Sequence, residues 1–453
     1  MKEQEKNKRP NRISRRRFLG SAAAGAAAFT IVPRGVLGGP AHAAPSDKLN
    51  IAAIGSGGKG GGNVKACRNE NIVALCDVDH ARAAKTFEEF PKAARWFDFR
   101  KMLEKQKDID AVIIATPDHT HTVAAMAAMQ LGKHVYVQKP LTRLVGEARI
   151  LTEAARKYKV ATQMGNQGHS GDGVRDICEW IWDGAIGDVR EVHAWTNRPI
   201  WPQGIDRPLG SPPIPSTLNW DLWVGPSPMR PYHSAYLPFN WRGWWDFGCG
   251  ALGDMACHVM DPLVWALKLK YPTSVEACAT EVNEETFPLA SIVRFEFPAR
   301  EGMPPVTVNW YDGGMKPPRP DALEKGRRLD QARSNVLFMG DKGVLRCGEY
   351  GDSPQLIPYS KNREYKRPAR TLDRIPGGRG GHEKNWIEAC KGGKPACSNF
   401  DYSGPFTEMV VMGNLALKFL GQKLEWDGDN MKFTNNDEAN KYVMLPYREG
   451  WEI

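Results

Sequence analysis

The stretch from Leu49 to Gly62, Leu-Asn-Ile-Ala-Ala-Ile-Gly-Ser-Gly-Gly-Lys-Gly-Gly-Gly, restricts the fold more than any other part of the chain. Residues 49–54 form a short apolar run ended by glycine and read as a buried strand. Gly55, Gly57 and Gly60 follow at G-x-G-x-x-G spacing, with Ser56 and Gly58 between them, ahead of a segment that can begin a helix. In this arrangement the first glycine permits the tight turn. The second lets the backbone approach a pyrophosphate, and the third lets helix and strand pack closely. The helix N-terminus then offers free N–H groups and a partial positive charge to phosphates. A second apolar run from Asn71 ends in Asp77, 22 residues beyond Gly55. There a carboxylate can accept hydrogen bonds from ribose hydroxyls. Together these residues predict a dinucleotide site. The charge of Asp77 repels a 2′-phosphate and favours NAD, while Arg82 nearby keeps NADP as the alternative.

The first 44 residues stand apart from this fold. They contain a basic region, then Ser14-Arg15-Arg16-Arg17-Phe18-Leu19, a weakly apolar run over 18–32, and the small-residue site Ala41-His42-Ala43. This is the pattern of a twin-arginine signal peptide, predicting engagement with that export machinery and a periplasmic or other extracytoplasmic location. The apolar run is shorter than the ~20 residues of a spanning helix, so no stable membrane anchor is expected. The segment carries +7 of the formal +9 charge, leaving +2 on the remainder. The basic balance therefore belongs to the signal, and no nucleic-acid surface is expected. All nine cysteines lie beyond it, odd in number and without a C-x-x-C pair. Neither a disulfide framework nor a zinc site is indicated.

Beyond Asp77, helices are expected over 81–89, 99–107, 123–131 and 146–157, alternating with strands over 109–115, 134–137 and 160–164. Short connections between alternating strands and helices predict a doubly wound parallel sheet over 45–165. His121, Lys139 and Asn166 fall just past strand ends, where such sheets bind ligands. A second domain is expected over 166–453. Ten of the 15 tryptophans lie between 180 and 265, and prolines are dense over 199–231, suggesting a long ordered loop. Strands are predicted at 188–196, 274–280, 290–297, 305–311 and 334–347, with alternation suited to an open, mostly antiparallel sheet. Spans 312–333 and 361–380 read as loops. Helices are expected over 382–390 and 406–420, within a 381–420 segment that packs back on the first domain. The fold class is α/β.

Within the second domain, Leu252–Leu267 has helical apolar spacing, placing Asp254 and His258 one turn apart on one face. A carboxylate so placed can orient an imidazole and stabilise its protonated form. The same spacing offers two metal ligands, but no third partner is evident, and no metal is expected.

Four ordered motifs now stand together: the glycine loop with Asp77, Thr116-Pro117…His121, Lys139-Pro140, and Gly253-Asp254-x-x-x-His258. With them the chain resembles the Gfo/Idh/MocA oxidoreductases from residue 49 to about 420. The resemblance implies a Rossmann domain followed by an α/β domain whose sheet supports substrate binding and homo-oligomer contacts. It implies hydride transfer between nicotinamide and a sugar or polyol carbon. It places Thr116, Pro117, His121 and Lys139 at the cofactor, and makes Lys139, Asp254 and His258 the catalytic trio. His258 is expected to take the hydroxyl proton, oriented by Asp254, while Lys139 stabilises the developing alkoxide. Gln138 departs from the family's usual Glu before Lys-Pro. An exported relative keeps its nicotinamide tightly bound, and the same is expected here. Asn166, Trp201, Tyr232, His233, Trp241, Trp244 and Trp245 are expected to wall the carbohydrate site. The family also includes NAD-dependent glycoside hydrolases, which oxidise, eliminate, hydrate and re-reduce the sugar; this is the alternative function.

Overall fold

Alternate residues of the N-terminal strands enter two different cores. Ile51, Ala53, Ile113 and Tyr136 join one, while Ala52, Ile54, Val112 and Ile114 join the other. Strands apolar on both faces need helices on both faces, which a parallel sheet supplies. The computed structural model describes residues 47–329 and 334–453, so the twin-arginine segment lies outside the described residues. Its first sheet comprises β1 (Asn50–Ile54), β2 (Asn71–Cys76), β3 (Ala94–Trp96), β4 (Ala111–Ile114), β5 (His134–Val137) and β6 (Thr162–Met164). All are parallel, in the order β3-β2-β1-β4-β5-β6. The order reverses between β1 and β4, opening a crevice at their carboxyl ends.

The second sheet contains β7 (Val189–Thr196), β8 (Ser274–Ala279), β9 (Ser291–Phe297), β10 (Val306–Tyr311), β11 (Ser334–Gly340), β12 (Gly343–Gly348), β13 (Gln355–Ile357), β14 (Leu424–Asp427) and β15 (Lys432–Phe433). Its order is β13-β12-β11-β7-β10-β9-β8-β14-β15, antiparallel except between β7 and β10. Burial alternates along β9: Val293, Phe295 and Phe297 are buried and Arg294 is exposed. That period of two gives this part of the sheet one core face, whereas β7, β11, β12 and β13 also bury Trp195, Leu337, Val344 and Ile357 on the other.

Residues 49–453 form one unit, because helices late in the chain return to the first sheet. Trp386, in the helix His382–Cys390, packs on Tyr136 of β5 with ring centroids 5.6 Å apart. The helix Phe400–Ala416 lies along Val145–Tyr158, where Arg149 Nε donates to Glu408 Oε1 at 2.8 Å.

Several expectations are corrected. The helix expected over 252–267 is two, Gly250–Val259 and Asp261–Ala266, because Pro262 is tolerated only in a first turn. The strand expected over 334–347 is the hairpin β11–β12. Asn399 caps the last long helix at Phe400, so Pro405 lies inside it rather than before it. The helix Tyr359–Glu364 runs into the span 361–380 expected to be a loop, while the helix Asp172–Trp182 and the short strands β3, β13, β14 and β15 fall where no element is expected. All nine cysteines are free. No helix among the described residues is long and apolar enough to cross a membrane.

Candidate active site

The glycine loop leaves β1 under close constraint. Gly55 has φ +80°, and a Cβ there would lie 2.6 Å from the Ala115 carbonyl oxygen. A Cβ on Gly60 would lie 1.7 Å from the Gly55 carbonyl oxygen, so the helix Lys59–Ala66 starts in contact with the strand end. Ser56 is buried beneath the turn and donates from Oγ to the Cys76 carbonyl at 3.1 Å. Asp77 accepts from the Gly57 N–H at 2.9 Å and the Asp79 N–H at 3.0 Å, and burial raises its pKa against those bonds. The helix N-terminus has no side-chain cap and no acidic residue in its first turn. The Gly60 N–H donates to the Gly57 carbonyl at 3.0 Å, and the other N–H groups of the first turn stay available to an anion. These features fit a dinucleotide: the loop and helix end for the pyrophosphate, Asp77 for a ribose. Gly60→Ala is expected to cost at least about 1–3 kcal/mol of stability through overpacking against backbone. It should also weaken nucleotide binding; thermal melting and NAD titration check both.

Lys139, two residues past β5, brings a positive charge into the crevice. Its Nζ donates to Asp254 Oδ1 at 2.8 Å and also to the Asp254 backbone carbonyl. Arg242 Nε donates to the same Oδ1 at 2.9 Å, its guanidinium lying 4.2 Å from the Trp241 ring and 4.5 Å from that of Phe239. Two cations thus share one part-buried carboxylate. Although burial opposes its ionisation, Lys139 and Arg242 hold Asp254 well below the usual carboxylate range.

This corrects the expected role of Asp254, whose carboxylate is taken by the two cations rather than by His258. No hydrogen bond joins Asp254 to His258 among the described residues. His258 is 5% exposed, its Nδ1 lacks a hydrogen-bond partner among the described residues, and its ring lies 4.8 Å from that of Tyr350. Burial, then the nearby charge of Lys139, push its pKa well below the ordinary value, so it is a neutral imidazole at pH 7.

One cavity of about 440 Å³ unites these groups. Of the expected residues, Gly55, Gly57, Asp77, Thr116, Pro117, Lys139, Trp241 and His258 line it. The others do not. His121 is fully buried, with Nδ1 2.9 Å from the Pro140 carbonyl and Nε2 3.0 Å from that of Thr116. It braces two loops of the crevice, and burial lowers its pKa to about 4. Asn166 is likewise buried, donating to Asp261 and accepting from Ser398. Trp201 bonds Gln203, Tyr232 packs against Trp220, and His233 accepts from the Ala235 N–H. Trp244 is fully buried, and Trp245 packs at a tilt against Phe287 with its Nε1 donating to the Asn283 carbonyl. Packing and these hydrogen bonds hold the five aromatic positions outside the lining of the cavity.

The cavity also contains residues that the sequence did not single out. Arg242, Phe239, Trp223 and Trp451 line it as well, and so does Asp118, next to Pro117. Only Asp118 carried a signal, its place inside the Thr116–His121 motif. It is 3% exposed; burial lifts its carboxyl to about 7, with Arg242 and Lys139 opposing and Asp254 adding to the rise. Gln138 donates from Nε2 to Asn63 Oδ1 at 3.0 Å, and Asn63 donates to Glu383 at 2.6 Å. The residue that departs from the expected Glu thus anchors the helix of the glycine loop.

The profile described as "oxidoreductase family, NAD-binding Rossmann fold" matches residues 49–166, and that described as "oxidoreductase family, C-terminal alpha/beta domain" matches 189–298; both are Gfo/Idh/MocA profiles. The chain belongs to the Gfo/Idh/MocA oxidoreductases. The crevice is accordingly the NAD site of a Gfo/Idh/MocA Rossmann domain. Inositol 2-dehydrogenase of Serratia proteamaculans is 28% identical over 156 residues, covering 33% of this chain and 46% of that protein. A glycosyl hydrolase family 109 protein of Solibacter usitatus is 33% identical over 117 residues, covering 23% of this chain and 26% of that one. The matches therefore span less than half the length of these curated relatives. Among solved structures, the WlbA dehydrogenase of Bordetella pertussis, in complex with NADH and UDP-GlcNAcA, superposes with a TM-score of 0.59. It is 16% identical, and the match covers 84% of this chain and 99% of that one. At that identity the likeness is one of fold.

Proposed function

We propose that the chain is an exported dehydrogenase that oxidises a secondary hydroxyl of a sugar, polyol or glycoside, with tightly held NAD. The observation that carries this reading is that Lys139, from the NAD-binding part, and His258, from the C-terminal part, face one cavity with the glycine loop and Asp77. Bound NAD would supply the hydride acceptor. Lys139, set in place by Asp254, would donate a hydrogen bond to the hydroxyl oxygen and stabilise alkoxide character as the hydride leaves. Neutral His258 would hold the same hydroxyl from the opposite domain. Trp241, Phe239 and Trp223 would exclude water and offer apolar ring faces to a sugar. Export rests on the residues around Ser14–Leu19, and a passenger folded around its cofactor before export would keep a nucleotide that is scarce outside the cytoplasm.

Mature protein purified without added nucleotide is expected to release NAD on denaturation, detected by absorbance and mass. Release of no nicotinamide nucleotide, together with failure to bind added NAD or NADP, would sink the reading. The similarity to a family 109 glycosyl hydrolase supports a second reading, hydrolysis by transient oxidation and re-reduction. Aryl glycosides separate the two. A stable keto-sugar marks the dehydrogenase, and free aglycone without added oxidant marks the hydrolase.

A further inference from the structure

The loop that follows β2 and Asp77, residues 78–80, is paired with a segment of the C-terminal part. Leu218 forms an isolated antiparallel bridge with Asp79. On either side of it the Asn219 N–H donates to the Val78 carbonyl at 2.8 Å, and the His80 N–H donates to the Thr217 carbonyl at 3.1 Å. Thr217 Oγ1 adds a bond to Asp79 Oδ1 at 3.2 Å. The chain then enters the short helix Trp220–Val224, whose end meets the loop after β4: His119 Nε2 lies 3.0 Å from the Trp223 carbonyl. Strands β2 and β4 flank β1 in the sheet. A segment fastened to the loops after both of them therefore spans the crevice from one side of the glycine loop to the other. Leu222 and Trp223 accordingly line the same cavity as Gly55, Gly57 and Asp77.

The end of the chain pins this segment. Arg448 Nη1 donates to Asp221 Oδ1 at 2.7 Å, Nη2 to the Asp221 carbonyl at 3.0 Å, and Nε to the Gly225 carbonyl at 2.8 Å. Its N–H adds a bond to the Pro226 carbonyl at 2.9 Å. Asp221 is exposed, so the ion pair alone holds little. The bonds from one guanidinium to two backbone carbonyls supply the grip, because donors that carry charge bond more strongly than neutral ones. Three residues on, Trp451 lies 4.2 Å from the Arg100 guanidinium and 6.1 Å from the Phe99 ring. Phe99 and Trp451 both line the cavity, whereas Arg448 does not.

We propose that residues 217–226, pinned by Arg448 and Trp451, form a strap that holds NAD in the crevice and sets the rate at which it leaves. The proposal rests on the reading above that this crevice is filled by tightly held NAD, and it names what does the holding. The nucleotide site is then built by both parts of the chain: the glycine loop and Asp77 from one, and Leu222, Trp223 and Trp451 from the other. Release requires residues 217–219 to separate from 78–80. That step is a local unfolding of a hydrogen-bonded segment, with its own free-energy cost. The strap's fastenings therefore slow dissociation even though Arg448 itself stands outside the cavity.

The test is the dissociation rate of the nucleotide from the full chain, read as the loss of bound NADH fluorescence after a chase with excess NAD. Wild type is expected to keep its nucleotide through desalting. Arg448→Met removes the guanidinium and keeps an unbranched stem of similar reach. It should release nucleotide at least about tenfold faster, the scale of one charge-assisted hydrogen bond lost. Hydrogen exchange at the His80 and Asn219 N–H groups should quicken in the same variant, because those are the bonds that part when the strap opens. Asp221→Asn weakens the same fastening from its exposed end; it should act in the same direction to a smaller extent, and it decides the matter if Arg448→Met does not fold. Trp451→Ala should also speed release. Unchanged release in these variants, or faster exchange at His80 and Asn219 without faster release, overturns the strap. So does a wild type that binds NAD yet loses it on desalting as readily as Arg448→Met. A wild type that binds no nicotinamide nucleotide at all fails at the earlier reading, a result distinct from NAD held without the strap.

Discussion

Lys139→Ala is expected to lower turnover by about 10²–10³-fold or more while leaving NAD binding largely intact. The magnitude is that of removing one preorganised donor from a developing oxyanion in a site shielded from water. The ammonium is preorganised because Asp254 fixes it at 2.8 Å and the Asp254 carbonyl fixes it again. Stability should change less than activity, since Arg242 remains to balance Asp254 at 2.9 Å. Arginine should not rescue the function. Its guanidinium is larger and planar, so it cannot place a point charge where Nζ stands. The double variant Lys139→Ala with His258→Ala should lose less than the product of the single losses, because both hold one substrate oxygen and residues acting as a unit are not additive. Single-turnover reduction of bound nicotinamide, measured beside nucleotide titration, separates these effects.

Asp254→Asn is the variant for which structure and sequence give opposite expectations. An aspartate that only orients His258 would be dispensable at modest cost. The observed carboxylate instead neutralises Lys139 and Arg242 at one part-buried oxygen. Its removal leaves two cations confined without a counter-charge, and breaking such a pair typically costs about 3–5 kcal/mol. Turnover should fall at least as far as in Lys139→Ala, since the lysine loses its anchor and a repulsive neighbour remains. The pH dependence has a definite sign. Asp254 is depressed in the folded state, so its stabilisation is complete above the ordinary 3.8 and is lost as pH falls toward the folded value. Urea unfolding at neutral pH should show the full deficit of Asp254→Asn, and the deficit should narrow in strong acid. A deficit that stays constant with pH would contradict the shared-carboxylate account.

What could be read from sequence follows how local the determining physics is. The glycine loop was legible because strand, turn and helix are consecutive, so the Gly55–Gly60 contact is set by neighbouring residues. Lys139 and His258 were legible as members of ordered motifs. The partner of Asp254 was not, because Arg242 reaches it from a short turn folded in tertiary context and not from any helical spacing. His121 shows a subtler limit: its place past a strand end was right, but both ring nitrogens face backbone carbonyls. Tryptophan density located the aromatic region without saying which rings face the crevice. Trp244 is entirely buried, while Trp451 arrives from the far end of the chain to complete the wall.

Central to the account is that the glycine-loop cavity transfers hydride between NAD and a sugar or polyol under the control of Lys139. The most direct measurement loads wild type and Lys139→Ala with NAD, confirms nucleotide occupancy in each, and follows growth of the NADH band on mixing with a panel of mono- and disaccharides and cyclic polyols. Wild type is expected to reduce its bound nicotinamide with at least one of them, and Lys139→Ala to hold NAD yet reduce it at least about 10²-fold more slowly. Equal rates in the two proteins, or a wild type that binds no nicotinamide nucleotide, would contradict it.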